Sequence, residues 1–318
     1  MSSSPRGFLF PQVDPIVSAQ QLSIFLEVSG EPKPGNVTRR KAFPEISYDD
    51  FAFASASIRD PLRRSYRRAR SAACEGKRLC GLWGRALLES SKESMFGLSN
   101  TIFGTLLVEI PLGIGASVAR PWDSVVRKAE EVVRASDWTD SLDFVRSIRG
   151  CGVGNLSHPG FVRSDEALDL EDPAIEAKIR KRKVSLERLL APSVGYDLLA
   201  SELVGGFPII SKYAPKFVAW LREFQDPIKA SAATYCSLLA EYPDSLVGRK
   251  AGAEVAKQVM VRAARVMRFP LFSARWLKGM ERLDADLRKR DLNPGTLADL
   301  TAASIFLALI GAVPTSAV

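Results

Sequence analysis

The sequence predicts an all-α protein, a single multi-helix globular domain that buries an apolar helix near its C-terminus. Three observations carry this. Apolar residues recur at helical spacing along most of the chain, while strand-like alternation is scarce. Proline punctuates the periodic stretches at Pro121, Pro173, Pro192, Pro208, Pro215, Pro227, Pro243, Pro270 and Pro294, with no Gly-Ser linker and no internal repeat. The stretch 300–312 has no polar face, so a helix there belongs near the centre. With 318 residues, 46% hydrophobic and 25% charged, the chain is long enough for a substantial core and outside the disordered class. The expected division is an N-terminal extension over 1–15 and one helical domain over 16–318.

In chain order, the first helix is expected over 16–28, with Ile16, Leu22, Phe25 and Leu26 on one broad face. It stops at Gly30-Glu31-Pro32-Lys33-Pro34-Gly35, because two prolines cannot continue a helix. Ser47 followed by Asp50 resembles a capping-box start for a helix carrying Phe51, Phe53, Ala54 and Ala56. Further helices are expected over 62–91, 100–118, 122–135, 172–190, 192–204, 213–223, 226–241, 246–267, 273–289 and 297–312. The least regular piece is 147–171, with Gly150, Gly152, Gly154, Pro159 and Gly160, and it reads as a long loop, functional or disordered. Leu98 to Ala119 carries Asn100, Glu109 and Pro111, and Leu300 to Val313 is short of the roughly 20 residues that span a bilayer. Both read as buried helices of a soluble protein, with no membrane partner.

Composition narrows the chemistry. The single histidine, His158, leaves no room for a multi-histidine metal site. Cys74, Cys80, Cys151 and Cys236 form no CxxC pair and no disulfide ladder, which points to a reducing, cytoplasmic setting. The N-terminus lacks the apolar run of a secretory signal. A formal charge of +8 favours anionic partners, among which nucleotides, nucleic acid and anionic membrane all qualify.

Four motifs combine turn residues with charge. In Pro32-Lys33-Pro34-Gly35-Asn36-Val37 a stiff turn could hold one ammonium toward a phosphate, or simply end a helix beside a solvated lysine. Asn100 or Thr101 could cap the apolar helix that follows, or bind an anion at its N-terminus. Asp244 with Arg249 and Lys250 could hold a metal–triphosphate, or be a capped surface helix. Thr296 with Asp299 reads as a cap and its acidic partner, and Asp299 alternatively as a metal ligand. Two basic runs, Arg63 to Arg70 and Lys178 to Lys183, lack interleaved aromatics beyond Tyr66 and read as solvated faces, so nucleic acid is not the expected partner.

Taken together and in order, these motifs resemble the triphosphoribosyl-dephospho-coenzyme A synthase family over about residues 16–312. The matching pieces are Leu26-Glu27-Val28 with the Pro-Lys-Pro-Gly turn, Asp50-Phe51, Asn100-Thr101 with Gly104, Gly195-Tyr196-Asp197, Pro243-Asp244-Ser245-Leu246 with Arg249-Lys250, and Asn293-Pro294-Gly295 with Asp299. The resemblance implies an all-helical cytoplasmic enzyme that moves the triphosphoribosyl group of ATP to 3′-dephospho-coenzyme A and releases adenine. Its product is a prosthetic-group precursor for an acyl-carrier protein. It implies catalytic roles for Asp197 and Asp244, and nucleotide binding by Lys33, Asn36, Asn100, Thr101, Arg249 and Lys250. A magnesium ion would sit with Glu27, Asp50 and Asp299. Better-characterised members carry His-Lys directly after Asn-Thr, where this chain has Ile102-Phe103. That departure suggests a second reading, a nucleotide-dependent enzyme of another cofactor pathway. The Arg63–Arg70 run suggests a third, a non-catalytic basic helical nucleic-acid-binding protein.

Overall fold

The structure, a computed structural model, describes residues 13–94, 101–119, 124–152 and 168–311. Among these residues there are sixteen α-helices and no strand. The first four, α1 to α4, are Val13–Ser29, Tyr48–Ser57, Arg59–Cys74 and Trp83–Ser94. Next come α5 to α8 at Phe103–Val118, Val125–Arg134, Trp138–Gly150 and Ile175–Arg182. Helices α9 to α12 are Leu186–Leu190, Leu198–Gly205, Pro208–Phe224 and Pro227–Glu241, and α13 to α16 are Ser245–Ala251, Ala253–Val266, Ala274–Lys289 and Gly295–Leu309. Among the described residues no helix is long and apolar enough to cross a membrane.

Helices α5 and α16 run through the middle. In α16 Leu297, Leu300, Ile305 and Phe306 are buried together with Thr301 and Ser304. The hydroxyls of these last two donate to the carbonyls of Leu297 and Leu300, so the helix carries polar atoms inward without leaving them unpaired. It packs against α1, α5, α11 and α12, each of which supplies an apolar face. Burial in α5 continues from Thr105 to Ala116 and includes Glu109 and Pro111. One hydrophobic cluster extends from Val13 to Ile310, and a small satellite gathers Leu26, Phe217, Ala230 and Ile305.

Several expected boundaries move, for identifiable reasons. The 62–91 stretch is two helices, α3 and α4, separated by a turn over 75–82. The 172–190 stretch divides at Lys183, which adopts a left-handed conformation (φ 50°), and the 246–267 stretch divides at Gly252 (φ 98°). Apolar periodicity persists across such short breaks, so pattern alone fuses the flanking helices. Helix α7 begins ahead of the expected irregular segment. Its signal is the capping box of Asp137 and Asp140, each side chain bonding the other's backbone. Pro208 and Pro227 open α11 and α12, whereas Pro215 lies inside α11 rather than between helices. On α1 the expected apolar face is rotated. Ile16 and Leu26 are buried, but Leu22 and Phe25 are exposed, and Gln20, Ser23 and Glu27 point inward instead. The greater part of the expected loop, 153–167 with His158, lies outside the described residues.

Candidate functional site

A cavity of about 280 Å³ opens where the first turns of four helices meet. Its wall includes Phe103, Gly104 and Thr105 of α5, Leu199 and Ala200 of α10, Leu246 of α13, and Gly295 and Thr296 of α16. A helix start carries a partial positive charge on its first N–H groups, so a space lined by several of them is attractive to anions. Carboxylates already hold part of that charge. Asp197 accepts from the N–H groups of Leu199 (2.8 Å) and Ala200 (3.1 Å). Asp244 accepts from Val247 N at 2.8 Å and from Leu297 N at 2.9 Å, so one buried carboxylate ties α13 to α16.

The structure brings Glu27, Asn36, Thr101, Asp197, Arg249 and Asp299 onto this one cavity. Arg249 Nη1 lies 2.5 Å from Asp197 Oδ2, so the guanidinium lines the cavity with its charge partly compensated. Asp299 departs from the capping expectation. Helix α16 has Pro294 at its N-cap with no side-chain cap, and Thr296 lies inside the helix. The Asp299 carboxylate instead crosses to α5 and accepts from Thr105 Oγ1 at 2.7 Å. It fits only because residue 104 is glycine, since a Cβ there would stand 2.1 Å from Asp299 Oδ2. Nor does Thr101 cap α5, whose N-cap is Ile102, and Thr101 Oγ1 is buried with no hydrogen-bond partner.

Other expected residues lie elsewhere. Lys33 is neither solvated nor presented to the cavity. Its ammonium is 2.5 Å from Glu27 Oε1 and 3.1 Å from the Glu27 carbonyl, with 1% of the side chain exposed. The turn carrying it is anchored on both sides. Tyr235 Oη donates to the Pro34 carbonyl at 2.8 Å, and Gly35 N donates to Asp284 at 2.8 Å. Gly35 itself sits at φ +73° with Leu292 O 2.9 Å from where a Cβ would be. Asp50 accepts from the backbone and hydroxyl of Ser47 at 2.7 and 2.8 Å and does not line the cavity; it is a helix cap. Lys250 is exposed and pairs with Asp291 away from the cavity. Asn100 lies outside the described residues.

Burial dominates the electrostatics. It pushes the Asp299 carboxyl up to about 8, with the nearby negative charges of Glu27 and Asp244 adding to the rise and the Thr105 hydroxyl opposing it. Asp244 rises to about 6, also through burial, against the pull of its backbone N–H partners. Burial likewise raises Glu27 and lowers Lys33, each partly restored by the other. No group of three or more Asp, Glu, Cys or His side chains arranged to hold a metal occurs among the described residues. Glu27 and Asp299 nevertheless both line the cavity as buried carboxyl groups, and the negative charge of Glu27 favours the protonated form of Asp299. Magnesium typically takes one or two protein carboxylates and completes its shell with water and phosphate oxygens, so this pair fits a nucleotide-bound ion. Asp50, held in its cap, does not.

Further lining residues were not singled out from sequence as functional. Asn293 faces the cavity with its Oδ1 buried and unpartnered. Its Asn-Pro-Gly setting reads as a helix start, which hides a second use. Thr105, Phe144 and Ser193 also line the space, and nothing in their local sequence marks them, since they gain meaning only from what faces them.

A sequence family described as CitG, ATP:dephospho-CoA triphosphoribosyl transferase, matches residues 14–316. No curated protein matches the chain. Among solved structures, one from Archaeoglobus fulgidus, provisionally named a triphosphoribosyl-dephospho-CoA synthase, superposes with a TM-score of 0.60 at 28% identity. The match covers 82% of this chain and 99% of that one.

Proposed function

The chain belongs to the ATP:dephospho-CoA triphosphoribosyl transferase family, and on that premise we propose that it joins the triphosphoribosyl group of ATP to 3′-dephospho-coenzyme A. In this reaction a hydroxyl of the acceptor attacks the ribose C1′. The C1′–N9 bond breaks, the hydroxyl proton passes to a base, and adenine leaves carrying a proton. The observation that supports this reading best is convergence: six residues from five separated segments face one cavity at which helix N-termini gather. Capping alone supplies no reason for such a meeting.

The roles follow from placement. Arg249 and the helix starts of α5 and α16 face the triphosphate, where fixed dipoles and a guanidinium are worth more than in water. Asn36, Thr101 and Asn293 supply hydrogen bonds to the nucleotide. Glu27 and Asp299 would hold magnesium, which would supply positive charge against the phosphate oxygens. Lys33 keeps Glu27 in place from behind and does not itself touch phosphate. Asp197, lining the cavity beside Arg249, is suited to accept the acceptor's proton or to stabilise positive charge at C1′. Asp244 positions the N-termini of α13 and α16. Residues 16–318 act as one catalytic domain in the cytoplasm, a setting consistent with four free cysteines.

Incubating the purified protein with magnesium–ATP and 3′-dephospho-coenzyme A should release one adenine per acceptor consumed. Asp299→Asn should lower that rate by on the order of 100-fold or more, as for loss of a group that stabilises transition-state charge. Adenine release that ignores dephospho-coenzyme A and follows a different hydroxyl compound would shift the reading to another cofactor pathway. No adenine release with any acceptor would overturn it.

A further inference from the structure

The residues lining the cavity are of two chemical kinds. One set is polar and includes Glu27, Asn36, Arg249, Asn293 and Asp299. The other is apolar and partly aromatic, with Phe103, Leu107, Phe144, Ile148 and Leu190. The rings of Phe103 and Phe144 are 6.2 Å apart between centroids and inclined at 41°, forming a bent aromatic floor. Phe103 sits in the first turn of α5 and Phe144 in the middle of α7, so two rigid helices fix the floor. Two residues before Phe103 and in the same lining, the hydroxyl of Thr101 is buried and lacks a hydrogen-bond partner. Burying an unpaired hydroxyl is costly, and a ligand supplying the missing bond would recover that cost.

A flat apolar face with a hydrogen-bonding rim is the chemistry of a purine base. Apolar chains of other ligands would bury well against Leu107 and Ile148 but would leave Thr101 unpaired. We propose that Phe103 and Phe144, with Thr101 of the same lining, form the purine subsite of this cavity. This rests on the transferase reading above, in which both ATP and dephospho-coenzyme A carry an adenine ring. The subsite orients whichever adenine it holds so that the ribose and phosphates extend toward the polar lining residues. Phe103 and Phe144 are binding residues, and neither exchanges a proton or a bond.

Equilibrium titration of the full chain with three probes tests this without any turnover. The probes are magnesium–ATP, dephospho-coenzyme A and inorganic tripolyphosphate with magnesium. Removing a stacking ring should weaken binding of the base-bearing probe roughly five- to hundredfold, the usual range for base–aromatic stacking. For Phe103→Ala and Phe144→Ala, a loss for ATP with tripolyphosphate unchanged supports a subsite for the nucleotide base. A loss confined to dephospho-coenzyme A supports a subsite for the acceptor base. Phe103→Trp should retain affinity in either case, and the helical spectrum of each variant establishes that it is folded. Unchanged affinities for both adenine-bearing probes, or equal losses for ATP and tripolyphosphate, would overturn the proposal. Adenine release by the unmodified protein checks the transferase reading separately, so the two can fail independently.

Discussion

The ammonium of Lys33 and the carboxylate of Glu27 meet 2.5 Å apart with 1% and 4% of their side chains exposed. Breaking such a pair by removing one member leaves an uncompensated buried charge, which costs about 3–5 kcal/mol. Lys33→Ala should therefore lower unfolding stability by about that amount in a urea titration, and adding Glu27→Gln should recover most of it. A loss below about 1 kcal/mol would mean that the pair is open to solvent. Glu202 offers a second test. It is fully buried and accepts from the N–H groups of Ile209 (2.8 Å) and Ile210 (2.9 Å) at the start of α11. Burial raises its carboxyl from 4.5 to about 7. The folded state then holds the proton more tightly than the unfolded chain. The associated stability is complete below pH 4.5 and is lost as pH rises through about 7. The shift corresponds to on the order of 3 kcal/mol. Stability curves measured from pH 5 to 8 should fall more steeply for the unmodified protein than for Glu202→Gln. Parallel curves would place the Glu202 titration near its ordinary value.

At the scale of elements, the contact between α5 and α16 decides whether the site exists. Asp299 on α16 reaches Thr105 on α5 only through the gap at Gly104, where a Cβ would stand 2.1 Å from Oδ2 and 2.7 Å from Cγ. Gly104→Ala keeps an ordinary helical backbone and gains helix propensity of about 0.8–1 kcal/mol. The fold should therefore persist, with a normal helical spectrum, while Asp299 is driven from its place. Adenine release should drop by on the order of tenfold to a hundredfold, as for small displacements of a catalytic constellation. Full activity in Gly104→Ala would show that the carboxylate can act from another position. The turn of residues 32–37 is an element of the same kind. Its prolines are readable as a helix stop, but its direction is set by Tyr235 on α12 and by Asp284 on α15, which grip it from opposite sides.

Over the whole molecule, the net charge of +8 does not concentrate into a free basic face on α3. Arg63 and Arg67 pair with Asp14, and Arg64 and Arg68 pair with Glu89. Lys178 and Arg180 on α8 pair with Asp172 and Glu176. Six of the ten cations in these two runs thus already face a carboxylate, which weakens their pull on a phosphate backbone. Random duplex DNA at physiological salt should bind more weakly than about 10⁻⁴ M, the weak end of non-specific binding. Affinity in the micromolar range that falls steeply with salt would revive a nucleic-acid role. The all-helical class was legible because helical periodicity and proline punctuation are local properties that α11, α12 and α16 express within their own residues. Helix α1 was legible as a helix but not in its orientation. Gln20, Ser23 and Glu27 turn inward because Tyr66, Glu109 and Lys33 await them there. The ordered motifs carried the family and most of the residues that meet at the cavity. The sequence by itself determined the helical class, the family and many of the residue types that line the cavity, because each of these is written in residue identity and short-range spacing. Only the tertiary structure decided that Asp50 caps a helix, that Lys250 faces outward, and that Lys33 is buried behind Glu27 rather than offered to a phosphate. Those outcomes depend on which distant side chain lies across a helix contact, and no local pattern contains that information.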